Sequence, residues 1–160
     1  LATKIYFVET TTAERRMTLC QWVDTFYEKR RMVQVVTDST PAAQHLDQLL
    51  WTFAQGSFIP HRILEADKTD RSVDSTPAET AIMEPVVLTI GNNVAPGYEV
   101  IVADSPVDLD FLLHYKIAVH FVLLDSTEQR QESRLLWQKA RDQGLEVEHI
   151  PHRSRKTLDP

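Results

Sequence analysis

Apolar positions along the chain alternate between two periods. Residues 4–8, carrying Ile5, Tyr6, Phe7 and Val8, form a short aromatic and β-branched run that suits a buried strand, and residues 33–37 form a second. Between them, over residues 13–30, Met17, Cys20, Val23, Phe26 and Tyr27 keep helical spacing, with Leu19 and Trp22 flanking the stripe. This predicts a core helix. Thr10 to Thr12 offer caps at its start, and Glu28-Lys29-Arg30-Arg31 sets cations in its last turn. A strand, a long crossover helix and a strand imply parallel pairing.

The pattern then repeats. Asp38-Ser39-Thr40-Pro41 supplies a cap with proline suited to the first helical position, and Leu46, Leu49, Leu50 and Phe53 give the next helix its inward stripe. Residues 65–78 are polar and without periodicity, as expected of a surface loop. Residues 86–90 and 98–103 read as strands separated by turn signals at Gly91-Asn92-Asn93 and Pro96-Gly97. Ser105 and Asp108 suggest a capping box for a short helix reaching Tyr115, with Leu109, Leu112 and Leu113 inward. Residues 118–124 are apolar except for His120, which suits a central strand. Residues 127–143 form the last long helix, stopped by Gly144; residues 145–150 read as an edge strand and 151–160 as a basic tail. The expected fold is one Rossmann-like α/β domain of three layers over residues 1–150, with a mainly parallel sheet.

Such a fold raises the question of a nucleotide. The four glycines, Gly56, Gly91, Gly97 and Gly144, form neither GxGxxG nor a P-loop, and the loops after Val8 and Thr37 contain none, so no phosphate cradle and no cofactor is expected. Asp104, Asp108 and Asp110 follow a strand, and capping accounts for Asp108 better than magnesium does. His149 and His152 are separated by a proline and lack a third ligand nearby, which speaks against a metal. Cys20 lies on a core stripe and reads as an inert thiol; as the single cysteine it makes no internal bridge, which fits a reducing cytosol. An enzyme of the nucleotide-binding or hydrolytic kind, with a site near Glu9, Asp38 and Asp104 at the strand ends, is the alternative to a binding protein.

Charge narrows the alternatives. With a net charge of −6 the protein is not built to grip phosphates over its whole surface, so contact with DNA is expected to be weak and indirect. No apolar run approaches the roughly 20 residues of a membrane span, and nothing resembles a signal peptide, so a cytoplasmic location is expected.

Two clusters remain. Trp51 falls off the apolar stripe of its helix, and Phe58 and Ile59 stand before Pro60, which favours extended backbone. The two aromatics either close the edge of the core or form a partner-binding patch, for which Trp is enriched. On the last helix Arg130, Arg134, Trp137 and Arg141 fall within a sector of about 60°. That stripe is either a solvated face paired with Glu128 and Glu132 or a site for a peptide both acidic and hydrophobic.

The run Leu46-Asp47, Trp51 and Ser57-Phe58-Ile59-Pro60-His61 resembles the signature of the chi subunit of bacterial DNA polymerase III, the accessory clamp-loader protein. The opening Lys4-Ile5-Tyr6-Phe7 strand, the following helix and the basic helix near the C-terminus occur in that family's order, and the likeness is weaker over residues 65–113. The resemblance implies a non-catalytic replication subunit. It implies that Val122, Arg130, Arg134, Trp137 and Arg141 receive the acidic C-terminal tail of the single-stranded-DNA-binding protein, which ends in phenylalanine. Trp137 replaces the more usual tyrosine, and Leu123-Leu124-Asp125 replaces the family's proline and aromatic pattern, so the pocket wall differs there. The resemblance also implies that Trp51, Phe58, Pro60 and His61 face a second partner, the psi subunit of the clamp loader or an XPD-like repair helicase.

Overall fold

The computed structural model describes residues 3–53, 56, 58–64 and 83–152. The expected loop at 65–78 and the tail beyond His152 lie outside the described residues. Among the described residues seven parallel strands form one sheet in the order β3-β4-β2-β5-β6-β1-β7. These are β1 (Lys4–Thr10), β2 (Val33–Thr37), β3 (His61–Leu64), β4 (Val86–Ile90), β5 (Val100–Ala103), β6 (Ile117–Leu123) and β7 (Glu146–Ile150). The helices are α1 (Arg15–Glu28), α2 (Thr40–Thr52), α3 (Leu109–Leu112) and α4 (Thr127–Asp142). The fold is therefore the Rossmann-like, three-layer α/β domain expected, with all pairings parallel.

Alternation along each strand sends successive side chains to opposite faces, which divides the core in two. Tyr6, Val8, Val35, Val102 and Val119 pack with Leu19, Trp22, Phe26, Leu46 and Leu50 of α1 and α2. Ile5, Phe7, Ile101 and Ala118 pack on the other face with Leu112, Leu136 and Ala140 of α3 and α4. Every residue of β2 is buried, as a strand covered on both faces requires. Burying one such Leu or Val is worth roughly 1.5–3 kcal/mol. Its one long polar side chain, Gln34, is fully engaged: its amide nitrogen donates to Thr89 Oγ1 and Asn93 O, and its oxygen accepts from Ala95 N and the Tyr115 hydroxyl.

Several local expectations need correction. In α1 the buried face is Leu19, Cys20, Trp22, Val23 and Phe26, while Met17 is 41% exposed. The helix turns its bulkiest residue inward, where Trp22 meets Tyr6 at 5.2 Å and Phe26 at 6.0 Å. No side chain caps α1 from the N-cap residue Glu14, although Thr11 Oγ1 accepts from Glu14 N. The basic cluster lies beyond the last turn rather than in it, because α1 ends at Glu28 and Arg30 takes a left-handed φ of 61°. The α3 cap is Asp108 itself, accepting from Phe111 N, and not Ser105. That helix is shorter than expected, and it buries Phe111 while leaving Leu113 38% exposed. Strand β3 was not foreseen: four residues with Arg62 in the outward position carry too little periodicity. Elsewhere the local chemistry acts as read, with Ser39 capping α2 and Gly144 at φ 78° ending α4, while the cap of α4, Ser126, is a finding of the structure.

Candidate partner-binding surfaces

Helix α4 packs on β6 and β7 through Ser133, Leu136 and Ala140, which leaves its opposite side to solvent. Arg130, Arg134 and Arg141 are exposed along the flank of the helix, beside that packed face rather than opposite it. Among the described residues none of the three is in an ion pair, so Glu128 and Glu132 do not occupy them. Trp137 is half-buried at the border of this face, in a T-shaped contact with Phe7 whose ring centroid is 5.0 Å away. Val122, also half-buried, belongs to the same apolar cluster, whereas Leu123 is buried and Leu124 half-buried. The structure thus brings the indole and Val122 into one cluster and sets unpaired guanidiniums along the same helix.

The support of this surface was not visible in the sequence. Phe7 meets both Trp137 and the His120 ring, the latter 5.3 Å away. His120 is fully buried with Nε2 2.7 Å from Ser133 Oγ, and desolvation pushes its pKa down to about 4, so the ring is neutral near pH 7. Phe7 is the register partner of both His120 and His149, and Glu9 that of Val122. Glu9 Oε2 is 2.8 Å from His149 Nε2, and Oε1 accepts from His152 N at 3.1 Å. Burial pushes the Glu9 pKa up, but the hydrogen bonds from His149 and His152 outweigh it and hold the carboxyl below its ordinary value. Only strand alternation hinted at these neighbours.

At the other end of the sheet Trp51 is 45% and Phe58 64% exposed, and their rings lie 5.4 Å apart. His61 is buried beneath Trp51 with centroids 4.4 Å apart. Its Nδ1 is 2.7 Å from Ile59 O, and its Nε2 is 3.0 Å from Asp47 Oδ1. His61 thus supports the indole from below, Pro60 is half-buried, and the two aromatics stand out as a pair. They pack on each other and on His61 while keeping large exposed faces.

Of the carboxylates at the strand ends, Glu9 and Asp104 are engaged within the protein and Asp38 is exposed. Asp104 is held by Arg16, with Nε and Nη2 each 3.0 Å from its two oxygens. Arg15 Nε stands 3.3 Å from Oδ1 without the alignment of a hydrogen bond. The contact with Asp104 raises the Arg16 pKa further. Asp125, from the turn after β6, accepts from Thr12 N and Thr12 Oγ1. The adjoining cleft, bordered by Arg15, Ser105, His120 and Ser133, holds only about 20 Å³. Among the described residues no group of three or more His, Cys, Asp or Glu is arranged to hold a metal ion. Cys20 is buried and its thiol is pushed up to about 12 by desolvation, so it carries no reactive thiolate. Among the described residues no helix is long and apolar enough to cross a membrane.

Comparison with solved structures gives likeness of fold alone. S. cerevisiae Dbp5 bound to RNA and ADP BeF3 superposes with a TM-score of 0.67 at 13% identity, covering 99% of this chain and 44% of that one. A point variant of Dbp5 in the same bound state gives the same figures. The chain therefore spans less than half the length of those structures. No curated protein matches it. The model of one family, described as the DNA polymerase III chi subunit, HolC, matches residues 2–148. With residues 2–148 of its 160 covered, this protein belongs to the DNA polymerase III chi subunit family of DNA replication accessory proteins.

Proposed function

We propose that this protein is a coupling subunit that holds the acidic C-terminal tail of the single-stranded-DNA-binding protein on α4 and attaches to the psi subunit of the clamp loader, or to an XPD-like repair helicase, through Trp51 and Phe58. The observation that carries this reading is the α4 face, where three guanidiniums without an ion-pair partner among the described residues accompany an indole packed on Phe7. A peptide ending in phenylalanine packs its ring against Trp137 and Val122, its terminal carboxylate pairs with Arg134, and its aspartates run along Arg130 and Arg141. The chemistry is recognition, and no bond is made or broken.

Simultaneous binding is geometrically reasonable. The Trp51 and Phe58 pair belongs to the β3 side of the sheet and α4 to the β7 side. Six strand spacings separate those edges, about 29 Å. Two partners of ordinary interface size fit without collision. Contact with DNA itself is left to the tail-bearing partner, in keeping with a net charge of −6.

A thermal-shift comparison of an acidic peptide ending in phenylalanine with a panel of nucleotides tests the reading. A ligand that binds only the folded state raises the melting temperature. The peptide is expected to do so and the nucleotides are not. Stabilisation by a nucleotide without any by the peptide would replace this reading with that of an α/β enzyme.

A further inference from the structure

An acidic peptide on α4 would lie beside a carboxylate of the protein. Ile5, Phe7 and Glu9 share one face of β1, because side chains alternate along a strand, and Phe7 on that face carries Trp137. Glu9 stands two residues further along, about 7 Å by strand rise, and opposite Val122. Its side chain is 25% exposed. A bare negative charge there opposes the ligand that the surrounding arginines attract.

His149 answers that charge. Its Nε2 is 2.8 Å from Glu9 Oε2 and its side chain is 48% exposed, so it can exchange protons with solvent. We infer that Glu9 and His149 together form a charge gate on the proposed tail surface: the protonated pair is neutral and admits an acidic peptide, and the deprotonated pair repels it. The inference rests on the reading of α4 given above and adds a control to it. No covalent step is involved; one proton moves between solvent and the imidazole.

The other charged groups around the pair do not supply this switch. On β7, Glu146 and Glu148 lie on the opposite face with Lys4, their ion-pair partner. On β6, His120 is buried against Ser133 and neutral in the relevant range. After β6, Asp125 is tied to Thr12. At the start of α1, Glu14 takes His152, whose Nε2 is 2.8 Å from Glu14 Oε1, a separate pair that both variants below leave in place. Arginines 130, 134 and 141 of α4 keep their charge throughout. A simple fastening of the end of β7 onto β1 would also use these contacts, but it predicts no effect of pH on peptide affinity beyond that on stability.

The test is fluorescence anisotropy with an acidic peptide ending in phenylalanine, at fixed ionic strength between about pH 6 and about pH 8, where histidine is the side chain that titrates. Wild type is expected to weaken by roughly threefold to tenfold on going up. Glu9→Gln removes most of that dependence and binds more tightly than wild type at the upper pH. His149→Gln binds throughout as weakly as wild type does at the upper pH. Tight binding that is flat with pH in wild type overturns the gate and leaves the α4 reading standing, and so does a slope that persists in both variants. No binding at any pH overturns both. His149 lies on an edge strand, so its variant serves should Glu9→Gln fail to fold.

Discussion

Trp137 and Phe7 meet in a T-shaped contact, the ring planes inclined at 72° and the centroids 5.0 Å apart. Helix α4 and strand β1 are far apart in the chain, and this contact fixes the indole at the boundary between core and solvent. An exposed Trp would be mobile and a fully buried one unreachable. Half-burial on an aromatic support gives a ligand a rigid apolar wall, which costs little side-chain entropy on binding.

Trp137→Ala should therefore act on stability and on binding together. Removing a buried aromatic costs about 3–5 kcal/mol, and for a half-buried ring about 2 kcal/mol is expected. Trp137→Phe should recover most of it. Urea unfolding of the two variants checks this, and an unchanged midpoint for Trp137→Ala would mean that the ring does not lean on Phe7.

Trp51→Ala combined with Phe58→Ala should leave the fold and tail binding intact, since the two rings are 45% and 64% exposed and lie toward the other edge of the sheet. Binding to psi or to the helicase should fall by at least ~2 kcal/mol for each anchor removed. Calorimetry with the purified partner measures it. An unfolded double variant would instead mean that the pair closes the edge of the core.

Much of this was legible in the sequence because long periodic segments dictate their own packing. The runs that became β1, β2 and β6 are apolar enough to require burial on both faces, and the stripe of Arg130, Arg134, Trp137 and Arg141 follows from helical geometry once α4 is capped by Ser126. What escaped depends on tertiary packing. Trp22 displaced Met17 from the core because an indole fills more space between Tyr6 and Phe26 than a thioether on the neighbouring face. Strand β3 is held by pairing with β4 and not by its own pattern. The Phe7 support, the His120 to Ser133 contact and the Glu9 to His149 pair join distant segments, and strand register alone brings them together.

His120 sets an acid limit on stability. Its pKa is lowered from 6.5 to about 4 by burial, so the folded state refuses a proton that the unfolded chain accepts. Above the unfolded value this group has no effect. As pH falls from 6.5 towards 4 the unfolded state gains protons and stability drops, by about 3 kcal/mol in all, levelling off below the folded value. Glu9, whose folded pKa is also lowered, removes its own contribution only below the ordinary carboxyl range. Denaturant titrations across this interval should show the slope in wild type and a flatter one in His120→Gln. An identical slope in both would assign the acid limit to other groups.

The central claim is that α4 binds an acidic peptide ending in phenylalanine, and Arg134 is its most direct test. Arg134 lies one turn from Trp137 on the exposed face and has no ion-pair partner among the described residues. Fluorescence anisotropy of the labelled peptide should give a loss of roughly thirty- to a hundredfold for Arg134→Ala, about 2 to 3 kcal/mol. Arg141→Ala, farther along the helix, should lose much less and mainly at low salt, and Arg134→Lys should recover only part, because lysine cannot make the paired contact. Equal small losses in all three variants would contradict the account and reduce the stripe to a solvated helix face.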